Sequence, residues 1–251
     1  MKVKPKIKKK IKIKGIRNKM HHNRHNIGKF WPIPRKGSKY LARRSHNQND
    51  SVPLVVVMRD VLGLVKSKKE LKKAINEKQI ILNGKEVRET NYPVSLFDVI
   101  GVVSMKKHFK AVLNVSKKLV FEEVSGKDAE SKVFKVIGKK VIGKDKVQVN
   151  LLHGNNVLVD DNEKINVGDS LVVGFDGKVV KVIAMEKGHV GYVTHGKHTG
   201  HKGKIEEIVV RGGKRLAQIS EDVSSASKDA EGHKDKKEKI TVWVKNVIVV
   251  E

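Results

Sequence analysis

Residues 1–49 hold seventeen lysines and arginines and no aspartate or glutamate. A stretch so one-sided in charge repels itself, and it has too few large apolar side chains to build a core of its own. Such a segment is either a disordered tail or an arm that orders on RNA or DNA. The rest of the chain points the same way: 54 Lys and Arg stand against 27 Asp and Glu, a formal charge of +27 on 251 residues. An excess of that size favours nucleic acid or an anionic membrane as partner. No apolar run approaches the roughly 20 residues that a spanning helix needs. The longest, "VPLVVVMRDVLGLV", is interrupted by Arg59 and Asp60. The N-terminus resembles neither a secretory signal nor an anchor, because lysines break it throughout. Pro5 and Gly15 also spoil it as a surface helix. The absence of cysteine excludes disulfides and thiolate metal sites and suits a reducing cytoplasm.

Along the chain the pattern changes three times. In the basic arm, Phe30 and Trp31 sit among cations, Pro32 and Pro34 stiffen the backbone, and Arg35, Lys36 and Lys39 follow. Aromatic faces of this kind can stack on bases while the cations meet phosphates. Residues 50–107 read as a compact α+β module of two helices and a hairpin. "VPLVVVMRDVLGLV" fits a strand by its β-branched residues and a helix by its length. Ser67 with Glu70 is a capping-box signature, and Leu71, Ala74 and Ile75 then form an apolar stripe at helical spacing. That leaves Lys68, Lys69, Lys72 and Lys73 on the outer faces, with Lys66, Lys78 and Lys85 on flanking elements: either a solvated face or a phosphate-contacting patch. Asn83-Gly84 between apolar runs is a strong hairpin signal. Residues 108–171 turn to short alternating strands, with "KVIGK" occurring twice at a period too short for a solenoid. Residues 172–251 are also strand-rich with glycine turns, which suggests a small barrel. Within them, residues 221–239 form a polar stretch expected to be a mobile loop.

The chemistry that these residues exclude is as informative. "GYVTHGKHTG", residues 191–200, has the glycine and lysine spacing of a phosphate-cradling P-loop. It lacks the Ser or Thr after Lys197 that would ligate Mg²⁺, and Gly200 and Gly203 prevent the helix whose N-terminus would face the phosphates. His195, His198 and His201 recur every third residue, and three imidazoles can bind zinc, but structural sites usually want a fourth ligand and Lys197 and Lys202 would put positive charge beside the cation. A polar loop that touches RNA explains the same residues. There is no nucleophile elbow, no cysteine nucleophile and no H-E-x-x-H. The paired acids Glu122-Glu123 would point to opposite faces of a strand. Neither a catalytic site nor a metal, cofactor or small-molecule substrate is called for.

Four stretches, "KFWPIPRKGSKY", "VPLVVVMRDVLGLVKSKKELKKAINEKQIILNGKEVRETNYPVSLFDVI", "VQVNLLHGNNVLVDD" with "VGDSLVV", and "VTHGKHTGHKGKIEEI", lie in unbroken order from residue 29 to about 210. Together they closely resemble the small-subunit ribosomal protein S4e family of archaea and eukaryotes, the archaeal form most. The resemblance implies a basic arm at 1–49, an α-L (S4-type) RNA-binding domain at 50–107, a central β domain at 108–171, and a KOW-type SH3-like barrel at 172–251. It implies a non-catalytic constituent of the small ribosomal subunit in the cytoplasm, with rRNA and neighbouring small-subunit proteins as partners and no membrane. The glycine-rich stretch would then be the KOW loop and strand. Three features depart from the family pattern: a more lysine-rich start, "HGNN" where an Asp-Gly turn is expected, and the polar stretch 221–239.

The residues expected to meet RNA are Arg17, Arg24, Trp31, Arg35, Lys36, Lys39, Arg43 and Arg44 in the arm. With them go Lys66, Lys68, Lys69, Lys72 and Lys73 on the helical module and Lys197, His198 and Lys202 in the glycine loop. Two other functions could use parts of this pattern. An RNA-modifying enzyme can carry the same helical module but needs a large catalytic domain with a buried acid. A transcription elongation factor can carry a KOW barrel but would not need the helical module or the arm.

Overall fold

Pro53 sets the start of the first helical segment, and the way its free amides are satisfied explains why the β-branched run is not a strand. The computed structural model describes residues 22–47, 50–143, 146–160, 164–220 and 239–250, with backbone only at 127 and 128. Ser51–Pro53 pairs antiparallel with Pro93–Ser95. Helix Leu54–Val56 follows and widens into a π turn over Val57–Val61. The Leu54 and Val55 N–H groups donate to the Tyr92 and Thr90 carbonyls at 2.8 and 3.0 Å, so a neighbouring loop caps the helix where no side chain does. Residues 54–58 are all buried, and this burial outweighs the weak helix propensity of valine. Gly63, at φ +64, ends the segment.

Helix Lys68–Asn76 follows as the stripe implies, with Leu71 and Ile75 buried. Ile80–Leu82 and Lys85–Glu86 form the expected hairpin, with Asn83 and Gly84 at φ 49 and 73, both in the left-handed region that a two-residue turn requires. Strand pairing then continues past residue 107. Lys107–Leu113 and Leu119–Val124 complete a five-stranded sheet in the order Lys85–Glu86, Ile80–Leu82, Val99–Val102, Lys107–Leu113, Leu119–Val124.

The described part of the basic N-terminal segment belongs to this first unit. His22–Asn23 pairs with Tyr40–Leu41, and Trp31 and Ile33 enter the same core as Leu54, Leu71 and Ile100. The segment is not expected to build a core of its own, and here its large side chains join one supplied mainly by residues 52–119. Two large side chains suffice when the receiving core is built elsewhere in the chain.

A second five-stranded sheet runs Asn156–Asp160, Lys146–Leu151, Ser131–Val141, Ser170–Gly174, Val179–Ile183. It crosses residue 171, because Ser170–Gly174 pairs on one side with Ser131–Val141 and on the other with Val179–Ile183. Its core holds Phe134, Val136, Val149, Ile165 and Leu171. The third sheet runs Lys239–Trp243, Lys214–Ser220, Lys202–Arg211, Val190–Val193, Val247–Val250, around Val193, Ile205, Ala217, Ile219 and Val249. Most of the polar stretch 221–239 lies outside the described residues, as do the two ends of the chain. No helix among the described residues is long and apolar enough to cross a membrane.

Tyr192 helps to join the third sheet to the first unit. Fully buried, it packs into the first core with Ile248. Its hydroxyl donates to the Leu113 carbonyl and accepts the Leu113 N–H.

Candidate nucleic-acid interface

The helix Lys68–Asn76 presents its cations because both of its ends are held. Ser67 Oγ accepts the Glu70 N–H at 3.3 Å, and Glu70 Oε2 accepts the Lys66 N–H at 2.8 Å. The reciprocal cap thus closes one residue before the position that the simplest form uses. Leu71 and Ile75 face the core, each burial contributing about 1.5–3 kcal/mol, and the 3.6-residue period turns the rest outward. Lys66, Lys68, Lys69, Lys72 and Lys73 are all exposed. Lys73 lies 3.8 Å from Glu77, one turn on, a solvent-exposed pair of small energetic weight.

Beside this helix the N-terminal segment forms a shallow groove of about 580 Å³, lined among others by Lys36, Tyr40, Arg59 and Lys68. The structure thereby brings together cations from the arm and from the helix. Arg24 shapes one wall of this groove. Its guanidinium donates to the Ser38 carbonyl at 2.8 Å, to the Pro34 carbonyl at 2.5 Å and to Ser38 Oγ at 3.1 Å. Gly37 sits at φ +140, where a Cβ would meet the guanidinium at 2.9 Å. The turn so held leaves Arg35, Lys36 and Lys39 exposed, with Lys39 Nζ 5.4 Å from the Tyr40 ring.

Two expected contacts are corrected by these positions. Trp31 is 2 % exposed, stacked on His22 at 5.7 Å and covered by Arg44 at 5.4 Å, so it cannot stack on a base in this conformation. Arg44 is 8 % exposed and donates to the Ser51 carbonyl at 2.7 Å. Burial holds its guanidinium below the usual range. Arg24 commits three of its five N–H donors to the turn that it organises and still lines the groove. An aromatic or arginine in a basic run can serve either RNA or a core, and the run itself does not say which. Arg43 is half-buried and engaged within the chain, and Arg17 lies outside the described residues. Arg59 was not expected. It lines the groove with Asp60 held at 2.7 Å, and nothing in its local sequence distinguishes it from a solvated charge.

The glycine-rich loop joins two antiparallel strands, Val190–Val193 and Lys202–Arg211, and no helix follows it, in line with the rejection of a P-loop. Gly196 and Gly200 lie at φ +108 and +91. At Gly200 a Cβ would stand 2.3 Å from the Asn114 carbonyl oxygen, so the loop rests directly on the backbone of the first unit. Thr199 Oγ1 donates to the Gly196 carbonyl at 2.9 Å. Lys197 and Lys202 are exposed and His198 is half-buried. Lys202 Nζ lies 5.5 Å from the Tyr192 ring, and His198 meets His201 edge-on at 5.8 Å.

His195 departs from the other two histidines. Its Nε2 is 3.1 Å from Asp50 Oδ2 and its Nδ1 2.9 Å from Thr194 Oγ1. The hydrogen bond with Asp50 raises the imidazole above its ordinary value and holds the carboxyl below its own. Nearby, burial pushes His153 down to about 4. Among the described residues no group of three or more His, Cys, Asp or Glu is arranged to hold a metal ion. The groove and the loop offer cations on rigid elements, which is the equipment for gripping a phosphate backbone.

Comparison with known proteins agrees with this chemistry. Residues 52–100 match the S4 domain and residues 105–180 match the ribosomal family S4e. The chain is 34 % identical over 197 residues to the small ribosomal subunit protein eS4 of Methanosphaera stadtmanae, covering 77 % of this chain and 81 % of that one. It is 32 % identical over 214 residues to eS4 of Methanospirillum hungatei, covering 82 % and 88 %. Among solved structures, the 30S ribosomal protein S4e of Thermoplasma acidophilum superposes with a TM-score of 0.64 at 26 % identity, over 80 % of this chain and 95 % of that one.

Proposed function

The chain belongs to the S4e family of ribosomal proteins, and from that membership we infer that it is a structural constituent of the small ribosomal subunit, working in the cytoplasm as part of the ribosome. It is not an enzyme. Its fold is an RNA-binding α+β fold, and its partners are rRNA and ribosomal proteins. The observation that carries this reading is the match to the archaeal eS4 proteins over 77 % and 82 % of this chain and 81 % and 88 % of theirs. A transcription factor built on a KOW barrel is not favoured, since it would leave the S4 domain and the basic N-terminal segment unexplained.

At finer grain, the first unit acts as the α-L module, the middle sheet as a central β domain, and the last sheet as a KOW-type SH3-like barrel. The five antiparallel strands of that last sheet, with the glycine loop between two of them, support the barrel assignment. The rRNA-facing residues are Lys66, Lys68, Lys69, Lys72 and Lys73 on the helix, Arg35, Lys36, Lys39 and Arg59 around the groove, and Lys197 and Lys202 in the loop. Affinity comes chiefly from neutralising phosphates with release of counterions. Selectivity comes from fitting a rigid cationic surface to the shape of folded RNA. Residues 22–47 contribute from a docked position, held by Trp31, Ile33 and the Arg24-organised turn.

Sedimentation of a lysate through a sucrose gradient at high salt tests the assignment. The chain stays with the small-subunit peak in near-stoichiometric amount, and its appearance at the top of the gradient would overturn the reading. Charge reversal at Lys68, Lys69 and Lys72 lowers incorporation and flattens the salt dependence of RNA binding by about 0.7–0.9 logarithmic units for each phosphate that is no longer neutralised. Unchanged incorporation removes the helix from the interface.

A further inference from the structure

The edge strand Lys239–Trp243 alternates with Ile240 and Val242 buried, which turns Trp243 outward. Trp243 is 49 % exposed and stands opposite Leu216 in register, so Lys214, two residues along that strand, shares its face. Lys214 Nζ lies 4.7 Å from the indole ring. Beside them, between the central sheet and the last sheet, lies a groove of about 1060 Å³ that Arg215, Trp243 and Lys245 line from one side and Ile137 and Val167 from the other. Ile137 and Val167 are themselves more than half exposed. The lining carboxylate, Asp50, is engaged by His195. Beneath, the buried Lys135 ammonium donates to the Val244 and Val247 carbonyls, adding positive charge to the floor.

We propose that this groove is a binding site for single-stranded RNA, in which an unpaired base stacks on Trp243 and the flanking phosphates meet Lys214, Arg215 and Lys245. It rests on the assignment to the small subunit, and it adds an RNA surface at the edge strand of the last sheet to those around the helix Lys68–Asn76 and in the glycine loop. A protein partner is the less suitable occupant, because lysines are depleted at the centres of protein interfaces, and here Lys214 and Lys245 line the groove beside its one large aromatic side chain. An exposed indole among cations is the arrangement by which proteins hold unpaired nucleotides without reading their sequence. The apolar wall at Ile137 and Val167 gives the edge of the base a dry surface.

The full chain has two tryptophans. Trp31 is 2 % exposed, so a change in emission on adding RNA reports Trp243. Titration with a short labelled oligo-uridylate, followed both by tryptophan emission and by the anisotropy of the label, tests the site. RNA is expected to quench an emission component that is absent from Trp243→Phe. The midpoint of that quench is expected to move tenfold or more in Lys214→Glu/Arg215→Glu, and by little in Lys68→Glu/Lys72→Glu. No binding, binding without a change in emission, or a midpoint that answers only to the helix variant overturns the proposal. Quenching by polyglutamate in place of RNA also overturns it and assigns the groove to an acidic protein neighbour. A chain that sediments with the small subunit but shows no quench loses this site alone. A chain that shows the quench but sediments at the top of the gradient loses the subunit assignment instead.

Discussion

The Lys132 ammonium, carried by the central sheet, is buried against the Asp98 carboxylate of the first unit, with both side chains about 95 % or more withdrawn from solvent. Asp98 also accepts the Ser95 N–H at 2.5 Å and the Asn83 amide at 2.7 Å, so its oxygens are satisfied within a closed network. The hairpin that Asn83 turns is thereby tied to the strand Ser131–Val141. Removing one member of such a pair leaves the other charge stranded in a low-dielectric interior. Lys132→Met is expected to lower the unfolding free energy by about 3–5 kcal/mol, read from the urea midpoint. Adding Asp98→Asn to it is expected to restore part of the loss. Strictly additive effects would mean that the two groups do not interact.

Lys135 lies three residues further along that strand, and a strand sends residues of odd separation to opposite faces. Its ammonium accordingly reaches the Val244 and Val247 carbonyls of the last sheet. Burial pushes Lys135 down to about 8 from an ordinary value of 10.5. Between those two values the unfolded chain holds more protons than the folded one, so this group makes stability rise with pH from about 8 to about 10.5, by up to about 3 kcal/mol. Below pH 8 both states are protonated and the slope vanishes. The rise is expected to disappear in Lys135→Met, compared by urea unfolding across that range.

Two histidines at the junction of the units titrate in opposite senses. His153 is held neutral by burial, with Lys132 nearby adding to the effect, and its value is about 4. Its contribution to stability is present above the ordinary value near 6.5 and is lost as pH falls through that value toward 4. His195 is raised by Asp50. Its contribution is present below 6.5 and is lost as pH rises through the raised value. His153→Gln is expected to flatten the acid limb of the pH–stability curve, and His195→Gln to flatten the limb above 6.5. A His195 substitution that leaves that upper limb intact would show that the pair with Asp50 adds nothing.

Gly200 and Gly188 have nearly the same backbone angle, φ +91 and +92, but different surroundings. A Cβ at Gly188 meets nothing within 4 Å, while one at Gly200 would lie 2.3 Å from the Asn114 carbonyl oxygen. Gly188→Ala is therefore expected to cost about 1 kcal/mol, for the left-handed conformation alone. Gly200→Ala is expected to cost several times as much, because the loop must also lift off the first unit. Equal thermal shifts would show that the contact with Asn114 does not hold the loop.

Much of the local structure is legible in the order of residues. The helix Lys68–Asn76 announces itself through Ser67, Glu70 and the Leu71–Ile75 stripe, the hairpin through Asn83-Gly84, and the unsuitability of the glycine loop for nucleotides through His198. The exposed lysines of the helix follow from the same periodicity. The alternation of Ile240, Val242 and Val244 is enough to place Trp243 outside, although the lysine over its ring, Lys214, comes from a distant hairpin. Trp31 and Arg44 depart from expectation for a physical reason. In a run of cations, an aromatic ring or a guanidinium has the same local signature whether it faces RNA or packs inward.

Local pattern and net charge, both properties of the chain read in order, determined the elements, their outward faces and the kind of partner that such a charge attracts. Tertiary structure alone decided which cations remain available to that partner. Lys132 and Lys135 sit in a strand whose sequence, "SKVFKVIGKK", looks like any solvated basic run, yet both are buried. The carboxylate and carbonyls that receive them are contributed from 34 and more than 100 residues away. The desolvation of a charge is set by what closes over it, and spacing along the chain carries no information about that.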